Sequence, residues 1–150
     1  MDISKLTILP MTLADLEKIK TTLTKDFDNF WNFEIFKEEL VHTNSYYLVL
    51  YYQDSILGFA GFKKILEEAD LMNIVIAKAY RGQGFSSLLL KELLQTAYQL
   101  ANCRSMTLEV SATNAIAIHL YKSFGFTQIG LRKKYYFDKT DAILMKKDLP

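Results

Sequence analysis

Asn73-Ile74-Val75-Ile76-Ala77-Lys78-Ala79-Tyr80-Arg81-Gly82-Gln83-Gly84-Phe85-Ser86-Ser87-Leu88-Leu89-Leu90 changes backbone character within one short stretch. The apolar, β-branched run Ile74, Val75, Ile76 reads as a strand. Gly82 and Gly84 then supply conformational freedom and close approach, and Leu88-Leu89-Leu90 opens a helical apolar run. Strand, tight glycine loop and helix in that order let successive backbone N–H groups converge on an anion at a helix N-terminus. Ser86 and Ser87 are small and add hydroxyl donors. A diphosphate suits this shape best. Two glycines can also serve turn geometry alone, so the rest of the chain decides what the phosphate belongs to.

Two familiar phosphate loops are excluded. No G-x-x-x-x-G-K-[ST] is present, and no G-x-G-x-x-G follows the first strand with an acidic ribose ligand beyond it. A nucleotide-containing cofactor held mainly by main-chain amides is left.

The flanking sequence is expected to alternate strands and helices. Leu6-Thr7-Ile8 reads as a strand stopped by Pro10. Thr12 and Asp15 form a capping-box pattern, with Leu13, Leu16, Ile19 and Leu23 at helical spacing behind it. Residues 34–42 predict a second helix with Ile35, Phe36 and Leu40 inward. Residues 46–52, 56–64 and 70–76 predict strands, with turns at Gln53-Asp54-Ser55 and Glu67-Glu68-Ala69. Gly58 and Gly61 suggest close backbone approach in the middle strand. Residues 86–102 predict the longest helix, its face made by Leu89, Leu90, Leu93, Leu94, Ala97 and Leu100. Residues 106–110 predict a strand. A helix capped by Asn114 runs to about Phe124, Gly125 fits its left-handed end, and 126–131 and 142–147 predict two closing strands. The order is β-α-α-β-β-β-α-β-α-β-β, an α/β mixed sheet with helices on both faces.

The chain has 150 residues, 50% of them hydrophobic and 13% aromatic, which suits one domain with its own core. A net charge of +1 compels no nucleic-acid partner. No secretory segment or membrane-spanning apolar stretch is evident, so a cytoplasmic protein is expected. The lone Cys103 excludes an internal disulfide and a cysteine-based metal site, and no metal is expected.

Three polar residues follow the loop. Glu109 alternates with Leu108 and Val110, so it faces either solvent or a cleft. Tyr121 lies two helical turns after Asn114 on nearly the same face, where core packing is the ordinary alternative. Asn114 serves at least as a helix cap. A carboxylate takes a proton from an ammonium, and a phenol of pKa about 10 returns one to a leaving thiolate. An α-amine of pKa about 8 costs only on the order of 1 kcal/mol to deprotonate at neutral pH.

At this point the residues resemble a known family. Arg81-x-x-Gly84-x-Ser86 is similar to the pyrophosphate loop of the Gcn5-related N-acetyltransferases (GNAT). Leu108-Glu109-Val110-x-x-x-Asn114-x-x-Ala117-x-x-Leu120-Tyr121-x-x-x-Gly125-Phe126 resembles their ribosomal-protein-alanine branch, the RimI type. Gly130-x-Arg132-x-x-Tyr135-Tyr136 and Asp141-Ala142-x-x-Met145 extend the likeness, which covers roughly residues 67–149. It implies one GNAT domain over 1–150, with a mostly antiparallel sheet of about six to seven strands. It implies acetyl-CoA as co-substrate: Ile74, Val75 and Ile76 on the pantetheine arm, Arg81, Gly82, Gln83, Gly84, Phe85, Ser86 and Ser87 on the diphosphate, and Asn114 and Tyr121 beside the arm. Glu109 would be the general base and Tyr121 the general acid. Trp31, Tyr135 and Tyr136, with Phe30, would wall the acceptor, a peptide or protein N-terminus such as that of a ribosomal protein. His42 and His119 match no family role.

The chain departs from the pattern at Ser86, where Gly or Ala is usual, at Ser111, where Arg is frequent, and at Thr140, where Glu is common. The N-terminal aromatic segment also lacks the branch's Pro-Trp pair. Two other readings stay open: transfer to a small amine such as a polyamine, aminoglycoside or amino acid, and a non-catalytic acyl-CoA-binding module.

Overall fold

The computed structural model describes residues 1–27, 32–135 and 139–150. Phe30, Trp31 and Tyr136, expected at the acceptor wall, lie outside the described residues. The elements run β1 (Leu6–Pro10), α1 (Leu13–Lys18), α2 (Phe33–Leu40), β2 (Ser45–Tyr52), β3 (Ser55–Ile65), β4 (Glu68–Ile76), α3 (Phe85–Gln95), β5 (Ser105–Ser111), α4 (Ala115–Ser123), β6 (Thr127–Arg132) and β7 (Ala142–Asp148). The expected order is reproduced throughout.

Seven strands form one sheet in the order β1-β2-β3-β4-β5-β7-β6. Every neighbouring pair is antiparallel except β4 and β5. That parallel pair is short: Glu68, Ala69 and Asp70 oppose Ser105, Met106 and Thr107, and pairing then ends. Beyond it the two strands diverge.

Strand alternation sends the apolar side chains to two cores. Leu48, Leu50, Ala60 and Phe62 meet Leu89, Leu90 and Leu93 of α3, with Leu120 and Tyr121 of α4 packed against them. Tyr47, Val49 and Phe59 face the other way, onto Leu16 and Phe36 of α1 and α2. The Phe36 ring lies 5.0 Å from Phe59 and 5.3 Å from Tyr47. Two glycines in β3 allow this closeness. A β-carbon on Gly61 would run into the Tyr47 ring, and one on Gly58 would lie 2.6 Å from the Val75 carbonyl oxygen.

The capping box at Thr12 and Asp15 is present, with the Thr12 N–H donating to Asp15 at 2.7 Å. Four expectations need correction. The first helix ends at Lys18, and Ile19 and Leu23 are buried from the turns that follow. Thr21, Thr22 and Thr24 are weak helix formers, and the chain tightens there into Thr22 N–H to Ile19 carbonyl bonding. Ile35 is 48% exposed, because an eight-residue helix buries only the narrow face around Phe36. Leu100 is 69% exposed, because α3 finishes in a π-helical turn, Thr96–Leu100. Its extra residue moves the inward position to Ala101, whose N–H reaches back to Thr96. Last, the turn before β4 is centred on Leu66, at φ +57, and Glu67; Glu68 and Ala69 already belong to the strand.

Candidate active site

The divergence of β4 and β5 opens a cleft of about 700 Å³ on the α3–α4 side. One wall is the unpaired edge of β4. Ala77 gives its N–H to Leu57 on β3, so by alternation the main-chain groups of Ile74 and Ile76 point toward the opening. Arg81 Nε occupies the Ile76 carbonyl at 2.9 Å, which pins the loop to the end of the strand.

The floor is the N-terminus of α3. Gly82 and Gly84 both have positive φ, +78 and +85, and open space where a β-carbon would stand. Leu88 makes the first intrahelical bond, to the Gly84 carbonyl. The N–H groups of Phe85, Ser86 and Ser87 precede it and have no acceptor within the helix. Among the described residues no side chain caps this end, and no acidic residue stands in its first turn. The helix therefore presents converging donors and a partial positive charge to the cleft, an arrangement for a diphosphate.

The opposite wall is α4. Asn114 accepts the Ala117 N–H through Oδ1 at 3.1 Å, so the cap is real, and the same residue also lines the cleft. Tyr121 lines it two turns further along, its ring against Phe126 at 5.8 Å. Of the loop residues expected at the cofactor, Arg81, Gly82, Gly84, Phe85, Ser86 and Ser87 line the cleft, whereas Gln83 does not. His119 and Ile116 line it as well. A single sequence marks the faces of α4 without showing which one meets an opening.

Glu109 is placed differently. Leu108 and Val110 enter the α3–α4 core, so Glu109 emerges on the α1–α2 face. There it lines a separate cavity of about 300 Å³ with Glu68, Asp70 and Arg132. Glu109 and Tyr121 thus address the split between β4 and β5 from opposite faces of the sheet and do not share one cavity. Arg132 Nη1 lies 3.4 Å from Glu109 Oε1, and its guanidinium sits 5.2 Å from the centre of the Tyr135 ring. Tyr135 is half exposed. Burial pushes the Asp70 carboxyl above the usual range, and Glu109 and Glu68 push it further. Burial likewise raises the Cys103 thiol, which is packed in the core as expected for a structural cysteine.

Residues 13–126 match the model of the acetyltransferase (GNAT) family. The chain belongs to that family and is an N-acetyltransferase. It is 30% identical over 95% of both chains to a putative [ribosomal protein bS18]-alanine N-acetyltransferase of Bacillus subtilis. It is also 30% identical to the N-alpha-acetyltransferase RimI of Mycobacterium tuberculosis, over 98% of this chain and 95% of that one. The crystal structure of the ribosomal-protein-S18-alanine N-acetyltransferase from Escherichia coli superposes with a TM-score of 0.86 at 29% identity, covering 96% and 94% of the two chains. These relatives place the chain in the RimI-type branch.

Proposed function

We propose that the protein transfers the acetyl group of acetyl-CoA to the N-terminal α-amine of a protein, with a ribosomal-protein N-terminal alanine as the leading acceptor, by direct attack in a ternary complex. One observation carries the cofactor assignment: the open edge of β4 leads straight into the uncapped N-terminus of α3. An extended arm bearing amides would meet the main-chain groups of Ile74 and the N–H of Ile76, and its diphosphate would meet the N–H groups after Gly84. Acetyl-CoA supplies an acyl carbon activated as a thioester. Glu109 takes the proton from the acceptor ammonium, directly or through water, and Tyr121 gives one to the departing sulfur. Their places on opposite faces suit two reactants that enter the split from opposite sides. The acceptor assignment draws on the Bacillus subtilis and Escherichia coli relatives, whose names specify an alanine of ribosomal protein S18.

A second reading is transfer to a small cationic amine, since Glu68, Asp70 and Glu109 line one cavity. Lys146 pairs with Glu68 at 3.3 Å and Arg132 with Glu109, which leaves little net negative charge to recruit a polyamine. The discriminating experiment is thiol release from acetyl-CoA with alanine-initiated peptides beside spermidine, an aminoglycoside and free amino acids. Peptide turnover with a mass gain on the α-amine is the expected result. Turnover on the small amines alone would overturn the acceptor assignment. Binding of acetyl-CoA with no turnover on any amine would instead favour a non-catalytic module.

A further inference from the structure

The α1–α2 face carries a contact that the proposed chemistry does not account for. Arg132 belongs to β6, which is not adjacent to β5; β7 lies between them. In register, Glu109 stands opposite Leu144 and Gly130, while Arg132 stands opposite Ala142, one side-chain repeat along. The arginine therefore reaches diagonally across β7 to place Nη1 3.4 Å from Glu109 Oε1. Its guanidinium is also held over the Tyr135 ring, three residues on and past the end of the strand.

The charges facing Glu109 make this reach consequential. Glu68 and Asp70 enter the same cavity from β4. From β7, Lys146 is engaged by Glu68, and Lys63 of β3, in register with Asp70, is engaged by Glu39 of α2 at 3.5 Å. Among the described residues, Arg132 of β6 is the cation that contacts Glu109 itself. Carboxylates crowded into a partly desolvated cavity compete for protons, and Asp70, with its raised carboxyl, shows the direction.

Granting that Glu109 is the proton acceptor, we propose that Arg132 is a positioning residue for acetyl transfer. Braced on Tyr135, it fixes the Glu109 carboxylate beside the split and offsets the negative charge of its acidic neighbours. A planar guanidinium suits both contacts, and an ammonium would serve only the charge.

The test is a set of variants assayed with acetyl-CoA and an alanine-initiated peptide. Arg132→Leu should lower kcat about tenfold while leaving the acetyl-CoA KM unchanged. Arg132→Lys should restore only part of kcat, since an ammonium keeps the charge but not the planar contacts. The Arg132→Leu, Glu109→Gln double variant should be no slower than Glu109→Gln alone, since the arginine acts through that carboxylate. Wild-type kcat in Arg132→Leu, or losses that multiply in the double variant, would overturn the proposal. If Glu109→Gln is inactive while Arg132→Leu is unaffected, this inference fails alone. A fully active Glu109→Gln would remove the general base and this inference together.

Discussion

Asp70 and Thr107 are the last residues paired between β4 and β5. Past them each strand keeps its outer neighbour and loses the inner one, so a slot opens through the sheet. Glu109 borders it on one face and Tyr121 faces the cleft on the other. Glu109→Gln should therefore cut kcat by about 10²-fold or more with acetyl-CoA affinity nearly unchanged. Tyr121→Phe keeps the ring packed on Phe126 and should slow turnover with little change in melting temperature. Unaltered turnover in Tyr121→Phe across pH would reduce that residue to packing.

Asn114 has two separable parts. Its Oδ1 caps α4, and its amide –NH2 is a donor on a residue that lines the cleft. Asn114→Ser keeps a good cap, whereas Asn114→Ala loses about 1 kcal/mol of helix stability. Both should raise the acetyl-CoA KM about fivefold through one lost hydrogen bond. Thermal melts read beside saturation curves distinguish the two effects. An unchanged KM in both variants would leave Asn114 as a cap alone.

Gly58 and Gly82 should both lose stability on gaining a methyl group, by different amounts and for different reasons. Gly58→Ala drives its β-carbon onto the Val75 carbonyl, main chain that cannot step aside cheaply, and should cost about 1–3 kcal/mol. Because Val75 lines the cleft, cofactor binding should weaken with it. Gly82→Ala meets no atom and should lose only about 1 kcal/mol from its left-handed backbone. Equal melting temperatures in the two variants would contradict the packing described for β3 and β4.

Asp70 should make the fold more stable in acid than its exposed neighbours would. Its folded carboxyl binds a proton more readily than the unfolded one, at about 3.9. The folded state then holds more protons between the two values, so this contribution is fully present below the unfolded value and is lost as pH rises through the folded one. Asp70→Asn should raise the melting temperature at pH 7 by about 1–2 °C and give no advantage near pH 3.5. A loss of stability at pH 7 would show that the carboxylate has a favourable partner there.

The element order was legible because each segment carries its own period. The capping box at Thr12 and the glycines flanking Gln83 are equally local, and all stood where expected. The failures share a different origin. Ile35 and Leu100 are apolar residues whose inward place depends on helix length and on one extra residue in a turn. The Arg132–Glu109 contact depends on β6 joining the far edge of β7, a pairing that no short pattern encodes. Alternation correctly set Glu109 apart from Leu108 and Val110. Whether its face was solvent or cavity required the whole sheet.

The proposed chemistry depends on acetyl-CoA binding at the bend around Gly84 and along the unpaired edge of β4. Isothermal titration of the folded protein with acetyl-CoA measures this. Saturable one-to-one binding that weakens at least tenfold in Gly84→Val is the expected result. No heat of binding from well-folded wild-type protein, or equal affinity in Gly84→Val, would contradict it.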